Sequence, residues 1–127
     1  MQYSKISGVQ GICPPGWHLP TDAEWTTLTI YLGGEWLACG KLKETGIILW
    51  QSPNTGATNE SGFTALPGGR RGVAGGFYSK GKLLYWWSST DYNIDSTWLR
   101  AIWHDSDTVY RGYHTKKAGF SVRCIKD

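Results

Sequence analysis

Two stretches in the middle of this chain admit neither helix nor long strand. Residues 51–62, Gln-Ser-Pro-Asn-Thr-Gly-Ala-Thr-Asn-Glu-Ser-Gly, consist of turn formers. Residues 68–76 hold five glycines, and glycine loses more backbone freedom on folding than any other residue. Helices therefore belong ahead of residue 51 and short strands mainly after residue 76, with long loops between them. A helix bundle or coiled coil is excluded. Such a fold still needs a core, and aliphatic bulk is scarce: Leu, Ile, Val and Phe make up 25 of 127 residues, the poor edge for a globular chain. Eight Trp and seven Tyr supply the missing apolar area, and a net charge of only +3 argues against disorder. The length is that of one domain, 1–127.

The N-terminal part carries the clearest local signals. Residues 1–10 are polar and are expected to be flexible. Cys13-Pro14-Pro15-Gly16-Trp17-His18-Leu19-Pro20 reads as a rigid, non-helical lead-in. Thr21-Asp22-Ala23-Glu24 is a capping box, in which the Thr21 hydroxyl accepts from Glu24 N–H and the Glu24 carboxylate reaches back to Thr21 N–H. Trp25, Leu28 and Leu32 then recur at spacings of three and four, which predicts a helix over 22–32, ended by Gly33-Gly34. A shorter helix is expected over Trp36–Lys43, weakened by Gly40. Phe63–Pro67 is expected to be a short extended piece, and strands are expected at Phe77-Tyr78, Leu83–Thr90, Thr97–His104, Thr108–Arg111 and Gly119–Ile125. Trp25, Leu28, Trp86, Trp87, Trp98 and Phe120 are the expected core.

Several function classes drop out. No apolar run approaches the ~18–20 residues of a membrane span, and no N-terminal stretch has the pattern of a signal peptide. The basic residues are scattered, with pairs only at Arg70-Arg71 and Lys116-Lys117, which is too sparse for a nucleic-acid footprint. Cys13, Cys39 and Cys124 form no zinc spacing, and His18, His104 and His114 form no metalloprotease spacing. Spacing alone leaves two readings of the cysteines open: one disulfide with a free thiol, or three reduced buried thiols. In Thr97–His104, Trp98, Arg100 and Ile102 alternate with Leu99, Ala101 and Trp103, so both faces carry apolar bulk. That pattern fits a strand buried on both sides, or one with a core face and a recognition face.

The run Gly11–Trp25 (GICPPGWHLPTDAEW) resembles the opening signature of the Fibrobacter succinogenes major paralogous domain family. Gly40–Gly46 (GKLKETG), Ser52–Gly69, Trp86–Thr90 (WWSST) and Gly119–Cys124 (GFSVRC) continue the resemblance in order across residues 8–127. The resemblance implies an α+β, C-type-lectin-like fold: one or two N-terminal helices packed on small antiparallel sheets with long loops. It is also similar to the formylglycine-generating-enzyme fold, whose signature Leu19–Trp25 echoes. Members usually carry an upstream strand, which a chain starting at Met1 is expected to lack. The flanking positions of Cys13 and Cys124 in the family motifs imply a disulfide between them, and leave Cys39 as the free thiol.

Some members are variable proteins of diversity-generating retroelements, displayed on bacterial or phage surfaces. By that resemblance the function expected is non-catalytic binding of a protein or glycan on a cell surface, with an extracellular location. The changeable positions would be Asn93, Ile94, Asp95, Leu99, Ala101, Trp103, His104, Asp105, Asp107, Tyr110, Gly112, Tyr113, His114 and Ala118, on a fixed skeleton including Trp86–Thr90, Trp98, Arg100, Val109 and Arg111. The ligand surface is expected on the face opposite Trp98, Arg100 and Ile102. The alternative is an enzyme of the same fold, such as a formylglycine-generating-type oxidoreductase.

Other chemistry is weaker. No calcium-lectin motif is present, and no cofactor is expected. A structural Ca2+ on Asn54, Asn59 and Glu60 stands against a loop hydrogen-bonded to itself, which is the preferred reading. Asp105 and Asp107 as a glycosidase pair stand against a solvated turn, again preferred.

Overall fold

The computed structural model describes residues 10–127. The flexibility expected at residues 1–10 therefore falls outside the described residues except at Gln10. Gln10 is held in a turn: its carbonyl accepts from Cys13 N–H at 3.1 Å and its side-chain amide donates to the Cys13 carbonyl at 2.6 Å.

The capping box forms as expected. Thr21 Oγ1 accepts from Glu24 N at 3.0 Å and Thr21 N donates to Glu24 Oε1 at 3.1 Å, starting helix α1, Asp22–Tyr31. Helix α2 follows as Glu35–Leu42. Gly40, which weakens this helix on propensity, has a packing reason to be there. A Cβ on it would lie 2.1 Å from the Gly56 carbonyl oxygen, because the turn-rich loop crosses the helix at this point and donates Thr58 N–H to the Gly40 carbonyl at 2.8 Å.

The strands are β1 Trp17–His18, β2 Arg70–Arg71, β3 Phe77–Tyr78, β4 Leu83–Asp91, β5 Ser96–Trp103, β6 Tyr110–Thr115 and β7 Ile125–Lys126. They form three antiparallel sheets, β1-β7, β2-β3 and β4-β5-β6. The architecture is α+β, two helices with small antiparallel sheets. Two strand expectations need correction. Residues 119–125 do not run as one strand: Gly119 and Ser121 make single bridges, to Arg71 and Trp86, and only Ile125–Lys126 forms a ladder. The strand expected at Thr108–Arg111 runs instead over Tyr110–Thr115, and the extended piece Phe63–Pro67 contributes the single bridge Lys43–Ala65. Gly119, Ser121 and Ala65 each make backbone hydrogen bonds to a neighbouring segment without extending into a ladder, a distinction that a pattern of alternating residues does not record.

Strand β5 is buried on both sides. Toward the helices, Leu84, Trp86 and Ile102 join Trp25, Leu32, Ala38, Leu42, Trp50 and Val109 in one cluster. Trp25 stacks on Trp86 with centroids 5.2 Å apart. On the other side Trp87, Leu99 and Ala101 are covered by Ala118 and Phe120. Of the expected core, Trp25, Trp86, Trp87 and Phe120 are buried, whereas Leu28 and Trp98 are half-buried. Trp50, 1% exposed, is a core residue that periodicity did not single out.

One charged group fastens α1 to this sheet. Arg100, 2% exposed, donates to Asp22 Oδ1 at 2.6 Å, to the Asp22 carbonyl at 3.0 Å and to Thr26 Oγ1 at 2.9 Å. Arg111 donates to the second Asp22 oxygen at 2.7 Å while lying 3.7 Å from the Trp98 ring centroid. Burial pushes the Asp22 carboxyl up, but Arg111 and Arg100 together outweigh it and hold it below its ordinary value.

The chain ends are also joined. Cys13 and Cys124 form a disulfide, and Cys39 is free and buried. His18 beside them bridges Glu24 (2.8 Å) and Asp127 (2.6 Å), and these carboxylates raise its pKa. Among the described residues no helix is long and apolar enough to cross a membrane.

Two predictions follow from these ties. Asp22→Asn leaves the Arg100 cation buried without its anion and is expected to cost about 3–5 kcal/mol at pH 7 by urea denaturation. The folded pKa of Asp22 is depressed, so its contribution is present above the ordinary carboxylate pKa and lost as pH falls through the folded value. The gap between wild type and Asp22→Asn therefore narrows in acid. His18 works with the opposite sign: its contribution is complete below 6.5 and lost as pH rises through the raised value. For the disulfide, thiol titration of the unfolded, unreduced protein is expected to find one thiol per chain. Reduction is expected to remove about 4–5 kcal/mol of stability, since the bond closes a 111-residue separation.

Candidate functional site

The side chains expected to form one ligand surface are divided by the sheet. In the β5–β6 register Trp98 faces Tyr113 and Ala101 faces Tyr110, so Tyr113 shares the Trp98/Arg100 face and Tyr110 the opposite one. This corrects the assignment of Tyr113: it stacks on Tyr92 at 3.7 Å and stands edge-on to Trp98. Asn93, Ile94 and Asp95 are exposed in the β4–β5 turn, at the opposite end of β5 from Trp103. Eight residues of strand at about 3.3 Å each separate those ends by more than ~20 Å.

Further assignments change because of burial. Leu99, Ala101 and Ala118 are sealed in the core layer under Phe120, so they offer no contact area. Gly112, across from Leu99, is also buried. His114 is half-buried with its ring 5.4 Å from Phe120, and its Nδ1 has no hydrogen-bond partner among the described residues.

What remains together is the end of the sheet around Trp103. Tyr85 on β4 and Tyr110 on β6 both face Ala101, one from each side. Their rings meet Trp103 steeply, Tyr85 at 6.0 Å and 79°, Tyr110 at 5.7 Å and 67°. Three large rings therefore close over one alanine. Gly112 has the matching role for Tyr110: a Cβ there would lie 2.4 Å from Tyr110 Cε1. Ala101 and Gly112 thus act as small seats beneath the rings. Tyr85 is half-buried, and that burial pushes its hydroxyl pKa up.

The loop that follows β5 is anchored from below by a lysine that sequence reading did not single out. Lys43, 0% exposed, donates its three ammonium hydrogens to the carbonyls of Thr55 (2.7 Å), Ser106 (2.9 Å) and Trp103 (3.1 Å). An ammonium has three donors and no acceptor, so this cage is complete. Burial pushes the Lys43 pKa down, opposed by Cys39, Asp107 and Asp105. Asp105 and Asp107 themselves are exposed on the loop. His104 is half-buried, its Nδ1 3.0 Å from the Ser52 carbonyl and its Nε2 4.0 Å from Asp105. Loops 51–58 and 103–107 are thereby tied to each other and to the end of α2.

The remaining candidates for chemistry are engaged elsewhere. Cys39 donates its S–H to the Ser106 carbonyl at 3.3 Å, and burial pushes its pKa up to about 11, so it is a protonated thiol at neutral pH. Asn54 donates to the Glu44 and Gly46 carbonyls, while Asn59 bonds Thr64 through both ends of its amide. These amides brace their own loop. Among the described residues no group of three or more His, Cys, Asp or Glu could hold a metal.

The family profile described as Fibrobacter succinogenes major domain matches residues 2–126. The chain belongs to this family. No curated protein and no solved structure matches it. The family match spans the disulfide, the Asp22 anchor, the Lys43 cage and the ring cluster alike.

The seat at residue 112 gives a test that needs no ligand. Gly112→Ala is expected to swing the Tyr110 ring away from Trp103. The Trp103 indole proton resonances, shifted by the neighbouring ring, should move by NMR while those of Trp25 and Trp86 stay in place.

Proposed function

We propose that this domain is a non-catalytic binding module of C-type-lectin-like fold, which takes a protein or glycan on a cell surface through Tyr85, Trp103 and Tyr110. The observation that carries the reading is a rigid, half-exposed aromatic cluster mounted on small buried seats and flanked by an anchored loop. Rigid aromatics give large contact area at low entropy cost, and Trp and Tyr dominate interfaces once a partner desolvates them. Two helices, small antiparallel sheets, long loops and joined chain ends are in keeping with the lectin-like architecture. The disulfide fits an oxidising, extracellular setting.

The competing reading, a formylglycine-generating-type oxidoreductase, needs reactive thiols in a cleft. Two of the three cysteines are bonded to each other, and the third is buried and protonated. Retroelement diversification is supported at the exposed positions: Asp105, Asp107 and Tyr110 can change with little effect on the core, whereas Leu99, Ala101, Gly112 and Ala118, also among the changeable positions, are buried in it. Recovery of a near-copy of the segment encoding residues 91–124, beside a reverse transcriptase gene, would establish it; a locus without either would refute it.

The binding reading is tested with immobilised glycan and protein panels. Tyr110→Ala and Trp103→Ala are expected to lower binding at least about tenfold, the loss typical of an interface anchor. Tyr113→Ala, on the opposite face, should leave binding intact, and Tyr110→Ala should leave the melting temperature nearly unchanged. Binding indifferent to Tyr110→Ala and Trp103→Ala refutes the surface.

A further inference from the structure

We infer that the ligand of the ring cluster is an anionic pyranose, a sugar ring carrying a carboxylate or sulfate, with Arg70 holding the charge. This rests on the binding reading above and names its ligand class. The single bridge between Gly69 and Leu84 sets Arg70 beside Tyr85 at the edge of β4. Arg70 is half-buried, its guanidinium 5.4 Å from the Tyr78 ring centroid. It makes no ion pair among the described residues, whereas Arg100 and Arg111 share Asp22. An arginine of this kind is a fork of donors matched to a planar carboxylate or a sulfate. Arg70 follows Gly69 as Tyr85 follows Leu84 across that bridge, so the cation lies at the β4 edge of the cluster.

The rings supply the other half. The Trp103 indole is flanked by two rings turned 79° and 67° from its plane, so aromatic surface is presented in more than one orientation. Aromatic faces carry partial negative charge, which meets the C–H face of a pyranose. The tyrosine hydroxyls can both donate to and accept from sugar hydroxyls. A neutral sugar would use the rings and leave the guanidinium unmatched.

The test is affinity measurement of the intact chain for polygalacturonate, alginate, dextran sulfate, neutral dextran and polyglutamate, with Arg70→Gln and Tyr110→Ala alongside. At least one anionic polysaccharide is expected to bind, and the uronate and sulfate arms separate the two anions. Arg70→Gln should weaken that binding by about tenfold or more without moving the melting temperature, and Tyr110→Ala should weaken it too. Failure of all three anionic polysaccharides, equal binding of polyglutamate, or indifference to Arg70→Gln overturns the inference. Binding of neutral dextran or of a protein that needs Tyr110 but not Arg70 overturns the anionic class alone. Binding that ignores Tyr110 and Trp103 overturns the aromatic site itself.

Discussion

The Asp22 carboxylate is the point on which the rest of the structure depends. It lies in the first turn of α1, where the helix dipole favours an anion, and it receives guanidinium groups from two neighbouring strands, Arg100 on β5 and Arg111 on β6. Arg100 could not remain in the core without it, since an unpaired buried cation is strongly destabilising. The capping box of Thr21 and Glu24 starts the helix, and Asp22 ties that first turn to the face of β5 and β6 that carries Arg100 and Arg111. Trp98 then has Arg111 laid against its ring, and Trp25 meets Trp86 in the layer beneath.

That choice of face decides what the opposite face does. With the helices on the Arg100 side, Leu99 and Ala101 turn toward residues 118–120, and a second, thinner apolar layer closes there. The alternation in Thr97–His104 was compatible with this or with an open recognition face. A strand's own sequence records the chemistry of its two faces but not what covers them. The covering segment, Ala118 to Phe120, is short and reads as a strand, so its role as a lid over Leu99 and Ala101 was not visible in its pattern. The capping box, the helix it starts and strands β4 and β5 were legible because each depends on residues within a few positions of one another, whereas β6 was expected at Thr108–Arg111 and runs Tyr110–Thr115.

The site was legible in part, for the same reason. Trp103, His104 and Tyr110 were picked out and do gather at one end of the sheet. Tyr113 was grouped with them, but its two-residue offset from Arg111 returns it to the helix-facing side. Tyr85 was read only as part of a strand, and its place in the cluster depends on cross-strand register. Lys43 carried no signal of its own: a lysine is the residue least expected to be fully buried without a carboxylate, and its three carbonyl partners come from separate loops. Ala101 and Gly112 matter through what they lack. Their small size lets the rings of Tyr85, Trp103 and Tyr110 settle where bulk would hold them off.

The disulfide has a mechanical consequence. Cys13 and Cys124 are 111 residues apart in sequence, yet their Cα atoms are 5.8 Å apart. A tensile load entering the chain at one cysteine and leaving at the other passes through a single covalent bond. The helices, the sheets and the ring cluster lie in parallel with that bond, as slack that is never drawn tight. A domain wired this way can be pulled through its two cysteines and keep the shape of its aromatic surface.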